Sequence, residues 1–235
     1  MNRSLSGFVL LAGLIALACP AWSQSTWEGP TGVFLNPLAL VAKDGTSSAT
    51  FHYLSLQPVG SLTTAGYVYS GGTWEAGYTH ADLAIGGGSG NIDILHGKWI
   101  AIPFKGEAPQ VALGAILRHT EGGDDTSDFY AVATKIFPAK TPVIASLTVR
   151  NTDGAWSGLF GKGASRKTVL GGFLGVQVTP KFITGIEYYG QPDSVPWRDI
   201  AVRYVVGPST FLDAGVARLN STFDNQIAVA ITHQW

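Results

Sequence analysis

After position 45 the ionisable residues recur in one setting. Glu75, His96, Lys98, Arg118, Lys135, Arg150, Glu187, Asp199, Arg203 and Asp213 each sit in a stretch where apolar residues alternate with small or polar ones. Successive side chains of an extended strand point to opposite faces. Asp199, Ala201 and Arg203 then share one face, and Ile200, Val202 and Tyr204 share the other. Asp213, Gly215 and Ala217 likewise oppose Leu212, Ala214 and Val216. Ser146, Thr148 and Arg150 oppose Val143, Ala145, Leu147 and Val149, and Lys135 is read with Ala131 and Ala133 against Tyr130, Val132 and Ile136. Mixed charges on one face suit two kinds of chemistry. They can pair across a narrow interior and stiffen it, or they can line a selective path. Arg203 and Asp213, nearly opposite across the Gly207-Pro208 turn, are expected to pair. No catalytic or metal-binding set emerges. The five histidines lack zinc spacing, Gly86–Gly90 lacks the lysine and helix of a phosphate loop, and Glu121, Asp124 and Asp125 lack the spacing of a calcium loop. No cofactor and no metal is expected.

One stretch raises an enzymatic reading. Gly77-Tyr78-Thr79-His80 resembles the start of the Gly-Tyr-x-His-x-Ser motif of outer-membrane phospholipase A, which implies a histidine on a lipid-facing wall. His80 has that outward parity, but Asp82 stands where the serine nucleophile belongs. Without a hydroxyl there is no acyl-enzyme route, so a non-enzymatic protein is expected.

The elements that must position these residues are strands. In the last eleven residues, Ile227, Val229, Ile231, His233 and Trp235 fall on one face and Gln226, Ala228, Ala230, Thr232 and Gln234 on the other. An apolar outer face, a small polar inner face and a terminal aromatic are what the closing strand of an outer-membrane barrel needs. The stretch resembles the C-terminal signal of bacterial outer-membrane proteins, with His233 departing from the pattern. Trp74, Trp99, Phe182, Tyr204 and Trp235 are assigned outward near one set of strand ends, Tyr130 and Tyr188 outward near the other. Two levels of aromatic rings suggest girdles at the two membrane interfaces. Strand-like segments separated by Gly, Pro, Asp and Asn turns number about 12, or about 14 if Ala155–Phe160 and part of Gly32–Val41 join. Ile85–Gly90 reads as a flexible loop, and Thr152–Arg166 as a long loop whose base can extend the barrel wall.

The expectation is an all-β chain forming a single antiparallel up-and-down transmembrane β-barrel over residues 46–235. Composition agrees: only 13% of residues are charged and mean hydropathy is +0.19, yet no apolar run after the N-terminus is long enough for a membrane helix. Met1–Ser23 has the charged start, apolar core and small-x-small end of a secretory signal. Cys19, the single cysteine, lies within it, which excludes disulfide stapling and thiolate chemistry in residues 24–235. A formal charge of −1 gives no case for nucleic acid as a partner.

Residues 24–45 precede the alternation, as a periplasmic extension or an inserted plug. Gly29-Pro30-Thr31-Gly32-Val33-Phe34-Leu35-Asn36-Pro37 disfavours a ladder strand. This run resembles the N-terminal Thr-Gly-Leu-x-Asn-x-Pro stretch of YjbH-like outer-membrane proteins and their short barrel relatives. The resemblance implies a scaffold connected with envelope polysaccharide. The functional expectation is a small channel or such a scaffold in a bacterial outer membrane. Its partners would be outer-membrane lipids, the barrel-assembly machinery through the C-terminal strand, and polysaccharide components. An outer-membrane lipid-modifying enzyme and a secreted soluble β-barrel binding protein are the other classes.

Overall fold

The computed structural model describes residues 24–154, 162–190, 196–218 and 225–235. The expected secretory signal and the possible strand Ala155–Phe160 lie outside them. Two short strands, β1 (Gln24–Ser25) and β2 (Thr31–Gly32), pair with each other. Twelve further strands form a closed barrel: β3 (Thr46–Leu56), β4 (Gly60–Ser70), β5 (Trp74–Ile85), β6 (Gly88–Ile102), β7 (Gln110–Thr120), β8 (Thr126–Phe137), β9 (Val143–Gly154), β10 (Lys162–Thr179), β11 (Phe182–Tyr189), β12 (Trp197–Val205), β13 (Thr210–Arg218) and β14 (Asn225–Gln234). Every neighbouring pair is antiparallel, and each strand follows its predecessor around the wall. The chain is therefore an up-and-down barrel of twelve strands, and the count of fourteen does not hold.

Closure depends on the C-terminal strand. β14 bonds to β13 on one side and to β3 on the other. Its strict alternation fixes the register, because a slip by one residue would turn every side chain to the wrong face. Val229 and Ile231 lie opposite Tyr53 and Phe51 on the outside, while Thr232 meets Thr50 inside with their hydroxyls 2.8 Å apart.

The two surfaces are opposite in character. Outside, Ile200 is 60% exposed and Trp235 62%; inside, Glu187 is 3% and Arg203 5% exposed. A water-soluble barrel would invert that order, since apolar surface left in water forfeits the main driving force of folding. A lipid-facing barrel requires it.

Two sequence expectations are corrected. On β8, Asp128 faces inward beside Arg118, so Tyr130, Val132 and Thr134 face inward with it. Tyr130 is buried and belongs to no girdle, and Lys135 is on the outer wall, not in the lumen. Its ammonium lies 5.0 Å from the Phe137 ring, near the strand end where a long cation can reach the interface. Second, β5 and β6 continue through the glycine-rich stretch and turn on Gly86 and Gly87 alone, with φ of 59° and 84°. Two consecutive left-handed residues make the tight hairpin turn that matches strand twist. The base of the expected loop Thr152–Arg166 does extend the wall, as β9 runs to Gly154 and β10 begins at Lys162.

Candidate functional site

The lumen is occupied by the chain's own N-terminal segment. Ser25 to Leu40 are all buried, and the chain emerges at Val41 to join β3 at the end of the barrel that carries Trp235. Within the segment, Leu38 donates to the Thr31 carbonyl at 3.0 Å and Val33 to that of Asn36 at 3.0 Å, so residues 31–38 form a compact turn.

Three sets of wall residues hold it. On β5 and β6, Glu75 accepts the Thr31 amide at 2.7 Å and also the Thr31 hydroxyl. Lys98, 3.0 Å from Glu75, donates to the carbonyls of Thr31 and Leu38 at 2.8 and 2.9 Å. On β11, Glu187 accepts the consecutive amides of Phe34, Leu35 and Asn36 at 2.8, 3.2 and 2.9 Å, and the Asn36 side-chain amide at 3.1 Å. Successive amides converging on one point form a concave anion seat, filled here by the carboxylate. On β7 to β9, Arg118 and Arg150 share two carboxylates. Asp128 comes from the wall and Glu28 from the segment, with Arg118 Nε 3.0 Å and Arg150 Nη1 2.9 Å from Glu28. The Arg150 guanidinium stacks over Tyr189 at 4.5 Å and donates to its hydroxyl, yet its Nε and Nη2 have no hydrogen-bond partner among the described residues. A buried charge is tolerated only when paired, so the segment's Glu28 completes a set with two cations and one wall anion.

Apolar packing completes the fill. Trp27, Phe34, Leu35, Leu38 and Leu40 form one cluster with inward side chains such as Leu54, Ile94, Ile116, Ile144 and Trp197. Ala39 donates to the Thr134 hydroxyl at 2.8 Å, and Gln110 donates to the Ala39 carbonyl. Two glycines show how close the fit is. Gly29, at φ 110°, would drive a Cβ to 2.3 Å from the His96 ring, and a Cβ on Gly171 would reach 2.1 Å from the Asn36 side chain.

The residues assigned to the lumen from sequence divide as follows. Glu75, His96, Lys98, Arg118, Arg150, Glu187, Asp199, Arg203 and Asp213 are buried inside, and Lys135 is not among them. Glu75 joins Lys98, and Arg118 joins Arg150. Arg203 meets Asp213 at 2.7 Å through Nε and 3.1 Å through Nη2. Asp199 lies in register with Glu187, and neither of its oxygens has a hydrogen-bond partner among the described residues. Of the aromatics assigned outward, Trp74, Trp99, Tyr188, Tyr204 and Trp235 are exposed and Phe182 is half-buried. Sequence reading missed Glu28, Thr31, Asn36, Asp128 and Tyr189 as contact residues. Only Asp128 carried a signal, a carboxylate in phase with Thr134 on a strand facing Arg118 and Arg150.

On the outer wall His80 Nδ1 is 2.8 Å from Asp93, and its Nε2 is 3.4 Å from Asp82. Tyr78 donates to the same Asp93. The position two residues after the histidine thus offers a carboxylate, and the neighbouring Thr79 hydroxyl is buried on the inside.

No protein-family model matches the chain, and no curated protein does. The likeness of its N-terminal run to YjbH-like proteins therefore rests on those residues alone. Solved structures do match in fold. The KdgM porin aligns over 79% of this chain and 98% of its own, with a TM-score of 0.62 and 9% identity, and the same porin was also solved in complex with disordered oligogalacturonate. The NanC porin aligns over 80% and 98%, with a TM-score of 0.58 and 10% identity. An outer membrane channel from Pseudomonas putida F1 aligns over 83% and 97%, with a TM-score of 0.56 and 11% identity. The fold is that of outer-membrane porins.

Proposed function

We propose that this protein is a non-enzymatic channel of a bacterial outer membrane, stopped in the described conformation by its own residues 24–41, and that its solutes are saccharides. The observation that carries this reading is the way the segment is held. Glu75, Lys98, Glu187, Arg118 and Arg150 bind it by hydrogen bonds and ion pairs that water can replace. Such contacts exchange protein partners for solvent at a modest net cost each, so the packing of Trp27, Phe34, Leu35, Leu38 and Leu40 sets the larger part of the cost of withdrawal. The saccharide class is supported by the fold shared with a porin solved with oligogalacturonate. The YjbH-like run points the same way, toward envelope polysaccharide, and leaves a scaffold that stays shut as the companion reading.

In this account the belt of exposed side chains meets outer-membrane lipid, and β14 is the strand offered to the barrel-assembly machinery. Liposome swelling separates channel from scaffold. The full chain is expected to admit small saccharides slowly, and a chain lacking residues 25–41 to admit them quickly. A deletion protein that shows the gel shift of a folded barrel on boiling, yet leaves liposomes as tight as protein-free ones, would end the channel reading.

A further inference from the structure

The segment in the lumen satisfies the wall unevenly. Every donor to Glu187 belongs to the segment, namely the amides of Phe34, Leu35 and Asn36 and the Asn36 side chain. Beside Glu187 in register, Asp199 is buried, and among the described residues neither of its oxygens is offered a donor. Arg150 is 1% exposed, and its Nε and Nη2 are unused among the described residues. Buried polar groups left unmet cost free energy, and buried charges more. The segment thus brings too few acceptors for Arg150 and no donor for Asp199.

These groups belong to one patch of inner wall, toward the end of the barrel opposite Trp235. Arg150 stacks over Tyr189 at 4.5 Å, and Tyr189 lies in register with Trp197, their ring centroids 6.4 Å apart. Glu187 and Asp199 stand two residues along the same two strands, so they share the inward face. Gly171, beside Tyr189 on β10, adds no side chain, and the Asn36 side chain occupies that space. Aromatic surface with a few fixed polar groups is the make-up of a small-molecule site. Withdrawal of the segment also separates charge across this patch. Arg118 and Arg150 lose Glu28 and keep one carboxylate, Asp128. Glu187 loses all four of its donors, and Asp199 has none to lose. One side then lacks an anion and the other lacks a cation.

We propose that this patch is a solute subsite for a sugar carrying both an acidic and an amino group. The acid sits at Arg118 and Arg150, where the Glu28 carboxylate now stands in for it. The ammonium sits at Glu187 and Asp199, where the N–H groups of residues 34–36 now stand in for it, and the sugar ring lies over Tyr189. The proposal rests on the channel reading, because the site opens only when the segment leaves.

The test uses the full chain in detergent, carrying Cys19→Ser and Thr26→Cys. Thr26 is buried, and its hydroxyl has no partner among the described residues, so a thiol there reports release of the segment to a maleimide at little structural cost. The probes are 2-amino-2-deoxyglucuronic acid, glucosamine, glucuronic acid, and an equimolar mixture of the last two. The first should speed labelling about tenfold more than the mixture, the gain of one charge-assisted contact made jointly with the other. Asp199→Asn, which removes no partner from the wall, should cancel its advantage over glucuronic acid. Arg150→Gln should cancel its advantage over glucosamine, each rate being taken relative to the same variant without sugar. Boiling-dependent gel mobility shows that each variant is folded. Labelling that proceeds with no preference for the amphoteric sugar, or a preference that survives in Asp199→Asn, overturns the subsite and leaves the channel reading standing. No labelling with any probe overturns both.

Discussion

At the scale of single residues, position on the wall decides what a side chain may be. Ile200 and Arg203 are three residues apart on β12, yet one meets the outside and the other is sealed within. Replacing Ile200 by arginine should cost about 2–4 kcal/mol, the depth-dependent penalty for a cation near the bilayer midplane. Arg203→Ala should be worse, at about 3–5 kcal/mol, because it leaves Asp213 buried without its partner. Reversible unfolding of the barrel in lipid vesicles measures both, and a smaller loss for Arg203→Ala would contradict the inner pairing. Sequence alternation was sufficient to sort Glu187, Asp199, Arg203 and Asp213 from their apolar neighbours. It failed on β8, where the single cation near the strand end was read as a marker of the inner face. Lys135 tolerates the outside because its long stem reaches the boundary, and Tyr130 is drawn inside, 6.0 Å from the Arg150 guanidinium.

At the scale of elements, the twelve strands and the N-terminal segment differ in how their information is written. A strand announces itself locally, by a period of two and by the turn residues at its ends. β14 was legible in full for that reason. The segment's contacts are not periodic. Thr31 meets Glu75 across 44 positions and Phe34 meets Glu187 across 153, so only the closed wall brings them together. Gly86-Gly87 was misjudged as part of a loose loop because glycine serves both flexible loops and tight hairpins. The fit of segment to wall carries its own prediction. Gly171→Val should push into Asn36 and loosen the segment without opening β10, since the added atoms point into the lumen. Proteolysis at residues 24–41 should quicken by about tenfold or more if the segment's local opening becomes easier by over 1.4 kcal/mol. Unchanged cleavage would mean that Asn36 is not held against that strand.

At the scale of the whole molecule, the barrel is a wall whose inner polar groups are completed by a segment of the same chain. Glu28 supplies the second carboxylate between Arg118 and Arg150, and the Glu187 carboxylate fills the seat formed by the amides of residues 34–36. Substituting Glu28 by alanine and Glu187 by glutamine together should weaken retention of the segment at both ends while leaving the barrel heat-modifiable. Single-channel current across a planar bilayer tests this most directly, comparing the full chain, the double variant and a chain without residues 25–41. The account predicts little or no current from the full chain, intermittent openings from the double variant and a steady conductance from the deletion. The same steady current from all three, or silence from a folded deletion protein, would contradict it.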